Sequence, residues 1–213
     1  MNCDKIYDEL ERLAGEITLL RNRILESERA ATLPKMLCNL GEYVIRQSRR
    51  LTVTRSDDDI DIVAHAARGI AEATLLLHYF TSAPTASLDL LMEFVDRDFS
   101  EIKEGIVALN ASTNDTRLQG PSIVHSTLAK LPRRRRPPTF GELARLFGAE
   151  PEHRSFYKLY SKFVHPSPYS VFKTQDSEIT SQIRQIFLTR AAIYVREFTE
   201  RMMEIINILD EPI

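Results

Sequence analysis

Asp61 to Phe80 reads DIVAHAARGIAEATLLLHYF, and this stretch decides the fold. Its charged and polar members include Asp61, His65, Arg68 and Glu72, at steps of 4, 3 and 4 residues. Those steps follow the helical repeat and put all four side chains on one face. Most other directions are apolar, through Ile62, Val63, Ile70, Leu75, Leu76 and Leu77, with alanines between them that let neighbouring helices come close. A helix that is apolar around most of its circumference is an interior element, enclosed by other helices. Just upstream, Ser56 followed by Asp57, Asp58 and Asp59 predicts the helix start, with Ser56 as cap and negative charge against the positive end of the dipole.

The polar stripe admits two readings. In one it is the solvated face of the helix, with Asp61–His65 and Arg68–Glu72 as surface pairs worth about 0.2–0.5 kcal/mol each. In the other it faces an internal polar cavity, where each charge needs a partner to offset the loss of water.

Working outward, Ile6, Leu10, Leu13, Ile17, Leu20 and Ile24 recur at helical spacing and predict a long amphipathic helix from Asp4 to about Arg29. A second helix opens near Pro34, carries Leu37, Leu40, Val44 and Ile45, and ends in the basic run RQSRR, Arg46 to Arg50. Beyond the central helix, Pro84 opens a fourth that reaches about Asn110 through Leu88, Leu91, Val95, Phe99, Ile102 and Ile106. Residues 111–138 are turn-rich and then basic, with Arg133–Arg136 bracketed by prolines, which reads as a long surface connection. Thr139-Phe-Gly-Glu142 is a capping box that starts a short helix through Leu143 and Phe147, and Pro151 opens another that ends at His165. A last long helix runs from about Asp176 to Leu209, with Ile179, Ile183, Ile186, Phe187, Ile193, Phe198, Met202 and Ile205 on its expected buried side. The expected architecture is an all-α helical bundle of four to five long helices in a single domain over residues 1–213. Residues 1–55 form its N-terminal helical pair, and residues 111–138 form a basic crossover.

Composition agrees. The chain has 213 residues, 43% of them hydrophobic, with 7 glycines and no tryptophan, a mixture that supports a core and favours helix. A formal net charge of -2 supplies no overall basic field to draw the molecule onto nucleic acid or membrane. Cys3 and Cys38 lack metal-type spacing and fall on separate predicted helices, so reduced thiols are expected. The opening MNCDKIYDELER is charged where a signal peptide would be apolar, and no apolar run approaches the roughly 20 residues of a membrane span. The expected setting is the cytoplasm.

A second segment carries chemistry: PEHRSFYKLYSKFVHPSPYSVF, Pro151 to Phe172. Phe156, Leu159, Tyr160 and Phe163 share a core-facing side, while Tyr157, Ser161 and His165 fall four residues apart on another, with Arg154, Lys158 and Lys162 as a basic flank. Pro166 turns His165 out of helical geometry at a helix C-terminus, where the dipole favours an imidazolium. His165 there can serve as acid/base or phosphate donor, or simply cap the last carbonyls.

Arg68-Gly-Ile-Ala-Glu72 together with Tyr157-x-x-x-Ser161-x-x-x-His165-Pro166-Ser167-Pro168 resembles a bacterial all-helical family linked to HEPN-like domains, the helical bundles of toxin–antitoxin, abortive-infection and CRISPR-linked proteins. The resemblance spans roughly residues 57–196, with those two motifs as its sharp points. It implies a compact bundle, often dimeric, with paired motifs beside a shared groove and an effector role directed at RNA or nucleotides. One departure stands out. HEPN ribonucleases carry an arginine followed, after four to six residues, by a histidine on one helix, and none of the 5 histidines here has one at that distance. Catalysis would then draw on residues from different helices. His165 would act as acid/base, Arg68 would stabilise phosphate charge and Glu72 would orient one of them. Ser161 and Tyr157 would donate hydrogen bonds, while Arg154, Lys158 and Lys162 would attract substrate.

A rival expectation is a non-catalytic interaction or dimerisation module whose polar cluster locks helices together. Partners are accordingly a second copy, another protein, or RNA or nucleotide. Arg133–Arg136 could contact phosphates or keep a linker soluble. Asp61, His65, Glu72 and His165 could in principle approach a metal, but no HExxH or ExxH pair supports this. Phosphate-binding loops, serine-hydrolase elbows and CxxC pairs are missing, so no metal or cofactor is expected.

Overall fold

The computed structural model describes residues 3–56, 59–82, 138–164 and 177–211, with scattered positions between 89 and 108. The continuous elements among the described residues are α1 (Cys3–Glu26), α2 (Thr32–Val53), α3 (Ile60–Ser82), the short α4 (Phe140–Leu146), α5 (Glu150–Val164) and α6 (Ser177–Asp210), with a 3-10 turn at Thr54–Ser56. No strand occurs among the described residues, and the fold is all-α. Described positions between 89 and 108 are helical too. Residues 111–137, including Arg133–Arg136, lie outside the described residues.

The apolar spacing of α1 does what it predicts: Ile6, Leu10, Leu13, Ile17, Leu20 and Ile24 are all buried. α1 packs on α2 and α6, and α3 packs on those same two helices, closing a four-helix arrangement. Side-chain links across it give the directions. Arg196 reaches Glu9 at 2.8 Å and Asp210 reaches Arg23 at 2.8 Å, so α6 runs parallel to α1. Thr74 donates to the Tyr194 carbonyl at 3.2 Å, and Arg201 donates to His78 Nδ1 at 3.2 Å, so α6 is parallel to α3 as well. The short links from α1 to α2 and from α2 to α3 reverse the chain each time. A parallel α6 beside α3 therefore demands a long crossover, and the chain between them supplies it.

α5 uses that crossover to cover α3. Tyr160 and Phe163 pack on Phe187 of α6, at ring centroids 4.9 and 5.6 Å apart, while Phe156 and Leu159 lie partly buried against the core. α3 is thus flanked by α2, α4, α5 and α6, which is why nearly its whole circumference is apolar. Gly69 marks its closest approach: a Cβ built there would stand 2.5 Å from Tyr43 Oη of α2.

The capping box forms as spaced. Thr139 N–H donates to Glu142 Oε2 at 2.6 Å, and Glu142 N–H donates to Thr139 Oγ1 at 3.3 Å. α4 ends in a Schellman turn: Ala149 N–H donates to the Ala144 carbonyl at 2.7 Å and Gly148 N–H to that of Arg145 at 3.2 Å. Gly148 takes φ 71°, the left-handed geometry a glycine adopts without strain. This turn sets where α5 begins, and hence which of its side chains meet α3.

Three expectations need correction. The helix start and cap expected at Ser56 lie three residues later, because Ser56 belongs to the 3-10 turn and α3 opens at Ile60. Asp59 takes the role, accepting from the Asp61 and Ile62 amides at 3.0 and 3.3 Å. On α6, Ile179, Ile186 and Ile193 are exposed. Phe187, Phe198, Met202 and Ile205 are buried as expected, and Leu188, Ala191, Ala192, Val195 and Ile206 complete that face. In the partly described segment, Ile102 is exposed, and Phe94 is the buried residue, packed edge-on against Phe80 and Tyr79. Both thiols are free, Cys38 buried and Cys3 half-buried.

Candidate functional site

α3 and α5 cross antiparallel, and their polar faces meet. Arg68 Nε donates to Glu72 Oε1 at 2.8 Å, one turn along the same helix, and the guanidinium lies over the Tyr157 ring of α5 at 5.0 Å. Both members of the pair are about a quarter exposed, 25% and 23%. The stripe is therefore intermediate between its two readings: paired, half-buried, and facing another helix. Asp61 and His65 do not join it. His65 is exposed, and Asp61 Oδ1 is buried with no hydrogen-bond partner among the described residues.

Around the pair lies a cleft walled by Ala71, Leu75, Ala149, His153, Phe156, Tyr157, Tyr160 and Tyr194. Its enclosed part measures about 40 Å³, room for a water or two, and with its open mouth about 440 Å³. The walls are mostly rings. At its base Glu152 accepts from Tyr194 Oη at 2.7 Å and pairs with Arg190 at 3.0 Å, and Arg190 lies over Phe156 at 5.1 Å. That network fixes α5 to α6 and holds Phe156 in the wall. Tyr160 is 3% exposed, and its hydroxyl meets no hydrogen-bond partner among the described residues. Burial pushes the Tyr160 phenol well above its usual range; burial and then the bond to Glu152 do the same to Tyr194, so both stay protonated donors. Burial pushes the His153 imidazole down, favouring its neutral form, and Glu72 only partly opposes the shift.

His153 and Tyr157 stack, centroids 5.8 Å apart and 25° from parallel. They also border a second, more open depression of about 320 Å³ on the outer side of α5, with Thr139, Gly141, Glu142, Arg145, Glu150, Arg154 and Lys158. Arg145 is held by Glu150 at 3.3 Å, and Arg154 is near enough to help Arg145 hold the Glu150 carboxyl below its usual range.

The structure thus brings Arg68, Glu72 and Tyr157 into one cleft and sets Arg154 and Lys158 beside it. Ser161 turns back on its own helix, donating to the Lys158 carbonyl at 2.8 Å, and Lys162 is exposed. His165 and the prolines after it lie outside the described residues. The cleft also holds His153 and Tyr194, which the sequence reading did not place at a site, and Tyr160, which it read as core; the Glu152–Arg190 pair bonds and packs against its walls from behind. The signal for His153 was present, since it extends the four-residue stripe Tyr157–Ser161–His165 by one step. Among the described residues no group of His, Cys, Asp and Glu is arranged to hold a metal ion. No described helix is long and apolar enough to cross a membrane.

No family model matches the chain, and no curated protein or solved structure matches it either.

Proposed function

We propose that this chain is an RNA- or nucleotide-directed helical effector of HEPN-like type. In this reading a base enters the ring-walled cleft against Tyr157, and phosphates lie toward Arg154 and Lys158. The observation that carries the proposal is the His153–Tyr157 stack, a common wall between an aromatic cleft and a depression where Arg145, Arg154 and Lys158 outnumber Glu142 and Glu150. A nucleotide needs just that adjacency: a ring surface for the base and positive charge about one sugar away for phosphate. The Tyr160 hydroxyl, buried without a partner among the described residues, supplies a donor for a base edge. Tyr157, 46% exposed, is the wall of the cleft open to solvent, and in this reading it gives way to admit a ring.

Chemistry would fall to a histidine. His153, held neutral by burial, is competent as a base near neutral pH, and His165 keeps the acid/base role expected from its motif. Arg68 is already committed to Glu72, so its part is to hold Tyr157 and lend charge rather than to grip a phosphate alone. That commitment also favours the second reading, a non-catalytic interaction module: Arg68, steadied by Glu72 on its own helix, ties α3 to Tyr157 of α5 whether or not a ligand binds.

The test uses fluorescently labelled oligo(A), oligo(U) and mononucleotides with wild type, Tyr157→Ala and Arg154→Glu/Lys158→Glu. Saturable binding that weakens by about tenfold in both variants supports the proposal, the size expected for loss of one stacking contact or two phosphate contacts. Absence of binding, or binding indifferent to both variants, overturns it in favour of the interaction module. RNA cleavage lost in His153→Ala or His165→Ala would make the effector an enzyme.

A further inference from the structure

A second surface, independent of the cleft, sits where α2 ends and α3 begins. Arg46, Arg49, Arg50 and Val53 follow the i, i+3, i+4, i+7 pattern and share one face of α2. With Thr54 and Ile62 of α3 they line a groove of about 370 Å³. Val53 is 73% exposed and Ile62 40% exposed, so the groove floor is aliphatic and open to solvent. Its rim is cationic and uncompensated: none of the three arginines meets a carboxylate among the described residues, and Arg50 donates to the neutral Gln47 Oε1 at 3.3 Å. Several other surface arginines do have a carboxylate, as with Arg12–Glu9, Arg23–Asp210, Arg55–Asp8 and Arg196–Glu9. Cations near a helix C-terminus suit the dipole, but that accounts for neither Val53 nor Ile62.

We propose that this groove docks an acidic amphipathic helix of a partner protein. Positions i to i+7 extend about 10.5 Å along α2, two helical turns, so the matching partner presents two or three aliphatic residues on one stripe with carboxylates on both flanks. The aliphatic residues cover Val53 and Ile62, and the carboxylates pair with Arg46, Arg49 and Arg50, with arginine forks suited to bidentate contact. Nucleic acid fits this groove less well. It would use the arginines but not the aliphatic floor, which offers no ring for a base, and the chain as a whole carries net charge -2.

The experiment measures binding of a labelled 18-residue helical peptide with leucines on one stripe and glutamates beside it, against a scrambled peptide of identical composition. Oligo(U) serves as competitor. Micromolar binding of the patterned peptide, with the scrambled one about tenfold weaker, is the expected result. Val53→Asp and Arg49→Glu/Arg50→Glu should each weaken the patterned peptide by about tenfold as well. These positions are exposed, so unchanged circular dichroism and melting temperature show that the variants fold. Equal binding of the scrambled peptide, indifference to Val53→Asp, or displacement by oligo(U) would overturn the proposal. So would a self-association of the chain that Val53→Asp abolishes, because a second copy would then be the occupant. None of these outcomes touches the cleft, whose reading stands or falls on Tyr157.

Discussion

His153 and Tyr157 lie ring against ring, 5.8 Å apart, one turn from each other on α5. Tyr157 receives the Arg68 guanidinium on its face as well. Removing the Tyr157 ring therefore opens the cleft toward the cationic depression and frees Arg68 to swing on Glu72. Because Tyr157 is nearly half exposed, Tyr157→Ala should lower stability only by about 0.5–1 kcal/mol, the scale of an exposed cation–π contact. Nucleotide affinity should fall far more, by about 1–3 kcal/mol. Chemical denaturation and ligand titration on the same sample separate the two effects.

Tyr160 poses the opposite case. Its hydroxyl is buried and lacks a partner among the described residues, while its ring stacks on Phe187 at 4.9 Å. Tyr160→Phe keeps the stack and removes a polar atom that gains nothing in the free protein, so thermal stability should hold or rise slightly. If a base bonds that hydroxyl, affinity should drop by about 1 kcal/mol, roughly fivefold. Unchanged affinity with raised stability would assign the phenol to packing alone.

Much of the fold could be read locally because α1 and α2 each repeat one apolar stripe, while α3 is apolar on most sides and polar along one. The misses share a cause. Four polar residues in a row, Ser56 to Asp59, can all cap a helix, and the choice falls to Asp59 because Ile60 must already be inside the core. α6 carries apolar residues on more than one face, and Ile179, Ile186 and Ile193 form a stripe seven residues apart that packing leaves outside. The site was half legible. Arg68 and Glu72 follow from spacing along α3, and Tyr157 from spacing along α5, whereas the meeting of that pair with Tyr157 and His153 depends on the register in which α5 docks on α3. The Gly148 turn and the Glu152–Tyr194 bond help to set that register, and neither announces its partner in the sequence.

Acid should test His153. Burial lowers its folded pKa below the ordinary 6.5, so the unfolded chain binds the proton more readily. Its contribution is complete above pH 6.5 and is lost as pH falls through the folded value. Glu9 behaves alike in a lower window: Arg12 and Arg196 hold it at about 2 against an ordinary 4.5, so its contribution fades only below pH 4.5. Stability measured by denaturant from pH 7.5 to 5 should therefore decline in wild type and decline less in His153→Gln. An identical slope in the two proteins would show that the imidazole is not desolvated.

Gly69 supplies the last test, on the frame that holds Arg68. Its Cα faces Tyr43 across the α2–α3 contact, and a Cβ there would stand 2.5 Å from the Tyr43 hydroxyl and 3.3 Å from Cζ. Gly69→Ala should raise helix propensity by about 1 kcal/mol yet lose more than that by pushing Tyr43 aside, for a net destabilisation of about 1–2 kcal/mol. Removing the hydroxyl relieves the closest contact, so Gly69→Ala/Tyr43→Phe should recover part of the loss, and a double-mutant cycle should show coupling of about 0.5–1 kcal/mol. Displacement of α2 from α3 would also move Arg68, the neighbour of Gly69. Nucleotide affinity in Gly69→Ala should then fall along with stability and return with Tyr43→Phe. Additive effects in that cycle would mean that Tyr43 yields freely, and that the α2–α3 contact does not position the cleft.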